Sequence, residues 1–104
     1  MPGVSAPGFV LTARNRLMRF TVRISDRALK QLSKLDKSVQ KLLLNWLLKN
    51  LEGTSNPRVK GKGLTGDHSG EWRYRVGDYR IIVDIQDEIL LVLVITVGHR
   101  KNIY

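Results

Sequence analysis

The stretch EWRYRVGDYRIIV, residues 71–83, predicts a β-hairpin around which the remaining elements can be placed. Apolar and polar residues alternate up to Val76, Gly77–Asp78 supplies a two-residue turn, and a β-branched run follows the turn. In this register Val76 pairs with Tyr79, and one face of the hairpin is apolar. The other face carries three arginines, which are Arg73, Arg75 and Arg80.

Two further strands are predicted outside the hairpin. Residues 18–25, MRFTVRIS, alternate between apolar and polar side chains, which is typical of a half-buried strand. Residues 89–97, ILLVLVITV, are apolar on both faces. A strand of that kind lies inside a sheet rather than at its edge.

Two amphipathic helices are predicted between the first strand and the hairpin. Ser25 or Asp26 offers an N-cap to the first helix, and Asp36 separates it from the second. Apolar residues recur at intervals of three and four: Ala28, Leu29, Leu32 and Leu35, then Val39, Leu42, Leu43, Trp46, Leu47 and Leu51. The order is β-α-α-β-β-β, an α+β domain with an antiparallel sheet and a two-helix hairpin packed on one face.

Two segments lie outside this pattern. Residues 53–70 contain five of the nine glycines and predict a long loop, which carries several cations: Arg58, Lys60 and Lys62. Residues 1–17 lack the basic start and long apolar block of a signal peptide. We expect residues 1–17 to be a disordered leader or extension, and residues 18–104 to form one domain.

The composition points to a polyanionic partner. Eighteen lysines and arginines against nine acids give the 104-residue chain a net charge of +9. Such a domain suits nucleic acid, an anionic membrane surface or an acidic protein, and a merely soluble basic surface is the alternative. The chain has no cysteine, which excludes disulfides and agrees with a cytoplasmic location. No apolar run reaches the about 18 residues that a membrane-spanning helix needs.

The predicted register places Arg75 opposite Arg80, with Arg73 on the same face. Like charges opposite each other destabilise a sheet, so this arrangement lowers the stability of the fold. An anion bound among them would explain the arrangement. The alternative is a solvated basic face on which acids such as Glu71 and Asp84 act as partners. A register error of one residue would distribute the arginines over both faces.

The segments LTG, WRYRVGDYRIIVDI and VGHRKNIY, within this order of elements, resemble the RelE branch of the RelE/ParE superfamily. These proteins are toxins of type II toxin–antitoxin pairs, and the resemblance covers residues 18–104. RelE-like members cleave messenger RNA in the ribosomal A site without a metal ion, whereas the ParE branch inhibits DNA gyrase. The resemblance therefore implies a ribosome-dependent endoribonuclease that needs no cofactor. It also implies a cognate acidic antitoxin as partner.

The resemblance assigns roles to the basic residues. The two basic positions on the strand after the loop fall on Arg73 and Arg75, and the arginine of the following strand falls on Arg80. The arginine after the last strand falls on Arg100, and the tyrosine near the chain end falls on Tyr104. RelE has lysines at the first two positions, one of which is thought to be a general base. A guanidinium does not give up its proton, so Arg73 and Arg75 suit phosphate contacts better.

RNA cleavage at the 2′-OH needs charge stabilisation at the phosphate as well as proton transfer. We assign the charge stabilisation to Arg73, Arg80 and Arg100. Tyr104 is expected to orient or stack on a base, or to hold the 2′-OH. The remaining cations of the surface are expected to bind the RNA backbone: Lys60, Lys62 and Arg75.

Proton transfer is expected from His99, which follows the last strand beside Arg100 and near the arginines, and less from Glu71. The two histidines, 31 residues apart, and the scattered acids match no pattern of metal ligands.

Three other interpretations stay open from the sequence alone. The chain could be a protein-binding toxin of the gyrase-inhibitor type, which the retained arginine and tyrosine positions disfavour. It could be a basic RNA- or DNA-binding module without catalysis, which leaves the GHR…Y ending unexplained. It could also be an inert toxin, since arginines replace the lysines of RelE.

Overall fold

The hairpin at residues 71–83 forms as predicted in a computed structural model that describes residues 18–102. Strand β3 spans Glu71–Val76 and strand β4 spans Tyr79–Gln86. Val76 pairs with Tyr79 across the two-residue turn. Gly77 in that turn has φ +60°, a left-handed conformation that glycine adopts without steric cost.

The sheet has five strands in the order β1-β5-β4-β3-β2. Besides the hairpin these are β1 (Thr21–Ile24), β2 (Lys62–Gly63) and β5 (Leu91–His99). The α+β class, the order of the predicted elements and the interior position of β5 are confirmed. The two-residue strand β2 lies within the segment predicted as loop and extends the sheet beyond β3.

The sheet is mixed rather than antiparallel throughout, which corrects the prediction. β1 runs parallel to β5, with Thr21 opposite Leu91 and Ile24 opposite Val94. The other pairs, β5–β4, β4–β3 and β3–β2, are antiparallel. A four-residue strand shows the same alternation in either direction, so its sequence pattern could not determine the orientation.

The ladder between β4 and β5 contains a bulge. Ile82 pairs with Thr96, whereas the next residue, Val83, pairs with Val94, so Ile95 is an extra residue on β5. A bulge of this kind shifts the alternation of side chains by one position. Residues of β5 before and after the bulge therefore face the two sides of the sheet in opposite phase.

Two helices cover one face of the sheet, α1 (Asp26–Ser33) and α2 (Lys37–Asn50). The Ser25 hydroxyl accepts a hydrogen bond from the Ala28 N–H at 3.1 Å, which is an N-cap as predicted. Both helices contribute to one core with the inner face of the sheet. Its buried members are Phe20, Ala28, Leu32, Leu43, Leu47, Leu51, Tyr74, Val76, Ile81, Val83, Val92, Val94 and Val97.

Some leucines of the predicted apolar stripes are not in this core. Leu29 and Leu42 are each 49% exposed, and Leu44 and Leu48 are exposed as well. The buried row of α2 follows an interval of four, Leu43 and Leu47, and continues to the C-cap residue Leu51. A helix that rests on a single sheet face buries a narrow stripe, so neighbouring apolar positions stay in solvent.

The segment 53–70 is fastened to the sheet by side chains of β3. The Tyr74 hydroxyl donates to the Pro57 carbonyl, and Trp72 Nε1 donates to the Lys60 carbonyl at 2.7 Å. Arg58 forms two hydrogen bonds to the Asp87 carboxylate, at 2.9 and 2.8 Å. The two hydrogen bonds from Tyr74 and Trp72 fix the loop against β3, at the edge where β2 forms.

The prediction for residues 1–17 lies outside the described residues. Among residues 18–102, neither helix has the length and apolar character to cross a lipid bilayer.

Candidate nucleic-acid interface

The outer face of the sheet, opposite the helices, carries a cluster of cations in adjacent rows. Lys62 on β2 pairs with Arg73 on β3, which in turn pairs with Ile82 on β4. In the next row Arg75 pairs with Arg80. We call the surface formed by Lys62, Arg73, Arg75 and Arg80 the arginine face. It matches the face predicted from the two-residue turn.

The guanidiniums of the arginine face have no acidic partner within residues 18–102. No ion pair involves Arg73, Arg75 or Arg80. Arg73 and Arg80 are half-buried, and their Nε atoms are buried without a hydrogen-bond partner. Unpaired guanidiniums favour the binding of an anion such as a phosphate, whose oxygens accept hydrogen bonds from them. Bidentate contacts of this kind are among the stronger hydrogen bonds in proteins.

The acids expected on a merely solvated face have other contacts. Glu71 and Asp84 pair with each other one row from Arg73. The Glu71 carboxylate lies 3.5 Å from His68 Nδ1, and Asp84 accepts a hydrogen bond from Gln86 at 2.9 Å. The acids thus occupy the last row of the outer face, next to Arg73, and form no ion pair with the arginines within residues 18–102.

A pocket of about 400 Å³ opens on the arginine face, lined by Gly61, Lys62, Arg73 and Arg75. Gly61 has φ +84°, and a Cβ there would lie 2.5 Å from the Arg73 carbonyl oxygen. Only glycine allows the loop to approach β3 this closely. Lys60, whose carbonyl accepts from Trp72, and Lys62 are exposed beside the pocket.

His99 does not lie with the arginines, which corrects the prediction. It pairs with Tyr79, a residue of the helix-covered face, and the two rings meet edge to face at 5.4 Å between centroids. Its Nδ1 accepts a hydrogen bond from the Lys101 N–H at 3.2 Å. Regular alternation along β5 would have put His99 on the outer face, and the bulge at Ile95 reverses that phase.

Arg100 lies at the hairpin-turn end of the arginine face, next to the row of Arg75 and Arg80. Its backbone N–H donates to the Asp78 carbonyl at 2.9 Å, which joins the chain after β5 to the hairpin turn. The side chain of Arg100 is exposed. Tyr104, the other predicted residue of this segment, lies outside the described residues.

Two residues on the outer face were not predicted. Thr96 pairs with Ile82, is 2% exposed, and has no hydrogen-bond partner for its hydroxyl. It was overlooked within an apolar run. His68, which the sequence pattern considers only as a possible metal ligand, contacts Glu71 at the end of the outer face. Among the described residues, no group of three or more acidic or histidine side chains could hold a metal ion.

Sequence comparisons place the chain among toxins. The profile of the family described as the ParE toxin of type II toxin-antitoxin system, parDE, matches residues 22–104. The chain is 31% identical over 87 residues to toxin RelG of Mycobacterium tuberculosis, covering 84% of this chain and 98% of RelG. It is 32% identical over 86 residues to the mRNA interferase toxin RelE of Escherichia coli K12, covering 82% and 87% respectively.

Solved structures give the same relationship. The toxin–antitoxin complex RelBE2 of Mycobacterium tuberculosis contains a chain similar to this one with a TM-score of 0.72 and 29% identity, covering 79% of this chain and 99% of that chain. The isolated Escherichia coli RelE toxin has a TM-score of 0.62 and 28% identity, covering 77% and 83%. The similarity therefore includes the sheet and both helices.

Proposed function

Because the chain belongs to the RelE branch of the RelE/ParE toxin superfamily, as its motifs predicted, we propose that it is a metal-independent, ribosome-dependent endoribonuclease. Its substrate is messenger RNA in the ribosomal A site. The observation that supports this most is the set of guanidiniums on the arginine face without acidic partners. A toxin acting only by contact with a protein would not require two half-buried guanidiniums without acidic partners on one sheet face.

The chemistry requires a fixed positive charge near one phosphate. The 2′-oxygen attacks the adjacent phosphorus, and negative charge builds on the phosphoryl oxygens before the bond to the 5′-oxygen breaks. Arg73 and Arg80 are diagonal neighbours across β3 and β4, about 7–8 Å apart at the backbone. A phosphate between them is within reach of both guanidiniums, and rigid donors of this kind supply a large share of rate enhancement.

The residues beyond this pair bind and orient the RNA. Lys62 and Arg75 line the pocket next to Arg73, and Lys60 extends the positive surface along the loop. Arg100 completes the charge at the far end of the face, and Tyr104 orients a base or the 2′-OH. Neutralising a backbone contact weakens binding in a salt-dependent way, whereas losing a charge stabiliser slows cleavage.

The cognate antitoxin is proposed to be an acidic chain that covers basic and apolar surface. Helix α2 contains three lysines and no acid. It exposes Leu44 and Leu48, one turn apart, with Leu48 65% exposed. An acidic amphipathic helix would cover these leucines while its carboxylates meet the lysines, as in groove-type recognition of helices.

A cleavage assay in translating extract tests the proposed function. Unmodified protein and the variants Arg73→Ala and Arg80→Ala are added, and cut messenger RNA is mapped by primer extension. We expect cuts at A-site codons with the unmodified chain, and a loss of about a hundredfold or more with either variant. Arg27→Ala is the matched control, since it removes an equal charge from an exposed position on α1. Intact messenger RNA with active unmodified toxin in cells would instead favour gyrase inhibition.

A further inference from the structure

His68, the other histidine of the chain, lies next to a carboxylate at the end of the outer face. It closes a short 3-10 turn, Gly66–His68, and its Nδ1 lies 3.5 Å from Oε1 of Glu71. The Leu64 N–H donates to the Glu71 carbonyl at 2.9 Å, which closes residues 64–71 into a lobe. The lobe therefore holds the imidazole in place beside the first residue of β3.

The Glu71 carboxylate belongs to the same face as the arginines. Residues 71, 73 and 75 of β3 alternate to one side of the sheet, so Glu71 precedes Arg73 by one step of about 6.6 Å on that face. His99, in contrast, lies on the helix-covered face with Tyr79. His68 is thus the histidine with an observed contact to a carboxylate of the outer face.

We infer that His68 is the general base of the cleavage reaction and that Glu71 positions it. The inference rests on the proposed function. A carboxylate beside one ring nitrogen fixes the orientation of the imidazole and leaves the other nitrogen to face the substrate. Imidazole exchanges a proton at neutral pH, whereas the arginines of this face keep theirs.

The proton balance of the step is complete. Neutral His68 takes the proton of the 2′-OH, and the 2′-oxygen forms a bond to phosphorus. The bond from phosphorus to the 5′-oxygen breaks, and the leaving oxygen takes a proton from water. The hydroxide left by that water is neutralised by the imidazolium. The products are a 2′,3′-cyclic phosphate and a 5′-hydroxyl, so no oxidant or metal hydroxide is consumed.

The imidazole contacts Glu71, and Asp67 precedes it in its own turn. The charged residues next to Glu71 in the sheet are Asp84, which opposes it on β4, and Arg73, which follows it on the same face of β3 and pairs with Lys62 on β2. Glu71 and Asp84 oppose each other in the row next to Arg73, so the base lies one row from the phosphate site, within reach of a 2′-OH beside that phosphate.

Single-turnover cleavage on programmed ribosomes between pH 5.5 and 8.5 tests the inference. We expect His68→Gln to slow cleavage about a hundredfold or more and to remove the acid limb of the pH–rate profile. Glu71→Gln should shift that limb and slow cleavage less, and Glu71→Asp should restore part of the rate. His99→Gln should keep the acid limb. Ser69→Ala, an exposed change in the same lobe, is the control for loop disturbance.

Ribosome binding and thermal unfolding of each variant distinguish chemistry from folding. His68 is only half-buried, so His68→Gln should leave both unchanged. An acid limb that survives in His68→Gln, while the unmodified chain cuts messenger RNA, overturns the inference and leaves the proposed function intact. If the unmodified chain leaves messenger RNA uncut at every pH, the proposed function fails and this inference fails with it.

Discussion

Arg75 lies directly opposite Arg80 in the β3–β4 ladder, and neither guanidinium has an ion-pair partner within residues 18–102. Opposed like charges destabilise a sheet by an amount comparable to the stabilisation of an opposite pair. The folded chain accepts this cost at the place where a phosphate would remove it. Stability and RNA binding are therefore expected to respond in opposite directions when this pair is changed.

Replacing Arg75 with Gln should make the free protein more stable and bind RNA less well. The removed repulsion is worth about 0.5 kcal/mol, which for a domain of this size raises the melting temperature by about 2–4 °C. The log–log salt dependence of ribosome binding should fall by about one unit. Arg27→Gln on α1 is the control with the same charge change. Lower stability together with unchanged binding would show that Arg75 has a purely structural role.

The raised pKa of Tyr74 should make the protein less stable at alkaline pH. Burial raises its pKa to about 12, against 10 for an ordinary tyrosine. The unfolded chain loses this proton first, so the free energy of unfolding should decrease from about pH 10 towards pH 12. Tyr74→Phe removes the titration and should flatten this part of the curve. It should also lower stability at neutral pH by about 1–2 kcal/mol, since the Pro57 carbonyl loses its donor.

The salt bridge of Arg58 with Asp87 should contribute little. Arg58 lowers the pKa of Asp87 through its hydrogen bonds, so the contribution is present at neutral pH and lost as pH falls below the ordinary range of a carboxyl. Both side chains are largely solvated, at 42% and 58% exposure. Asp87→Asn should therefore change the free energy of unfolding by less than about 1 kcal/mol at pH 7. A larger loss would mean that this contact holds the whole loop 53–70 in place.

The exposed leucines of α2 should matter for the antitoxin and not for the fold. Changing Leu44 and Leu48 to Ser removes apolar surface that the folded monomer does not bury. Calorimetric titration with the cognate antitoxin should show weaker binding by at least tenfold, while the melting temperature stays within the range of ordinary surface changes. Val59→Ser, at a 75% exposed loop position, is the control. Unaltered affinity would place the antitoxin on another surface.

Local sequence patterns predict the structure correctly where each has one physical solution. The Gly77–Asp78 turn permits one register, and that register determined which residues share a face with Arg73. The patterns fail where the outcome depends on pairing with distant strands. The parallel pairing of β1 and the bulge at Ile95 leave no local signal, and the bulge alone moved His99 to the other face. The contact of His68 with Glu71 depends on the 3-10 turn Gly66–His68, which the glycine-rich loop composition does not predict.

The proposed cleavage is tested most directly by mapping messenger RNA ends on ribosomes exposed to the unmodified chain, to Arg73→Ala and to Arg80→Ala. The account predicts A-site cuts with the unmodified chain, loss of these cuts by about a hundredfold or more in both variants, and full cleavage with Arg27→Ala. All four proteins should remain folded. Equal cutting by the two variants and the unmodified chain, or no cutting by any of them, would contradict the assignment of the arginine face to RNA cleavage.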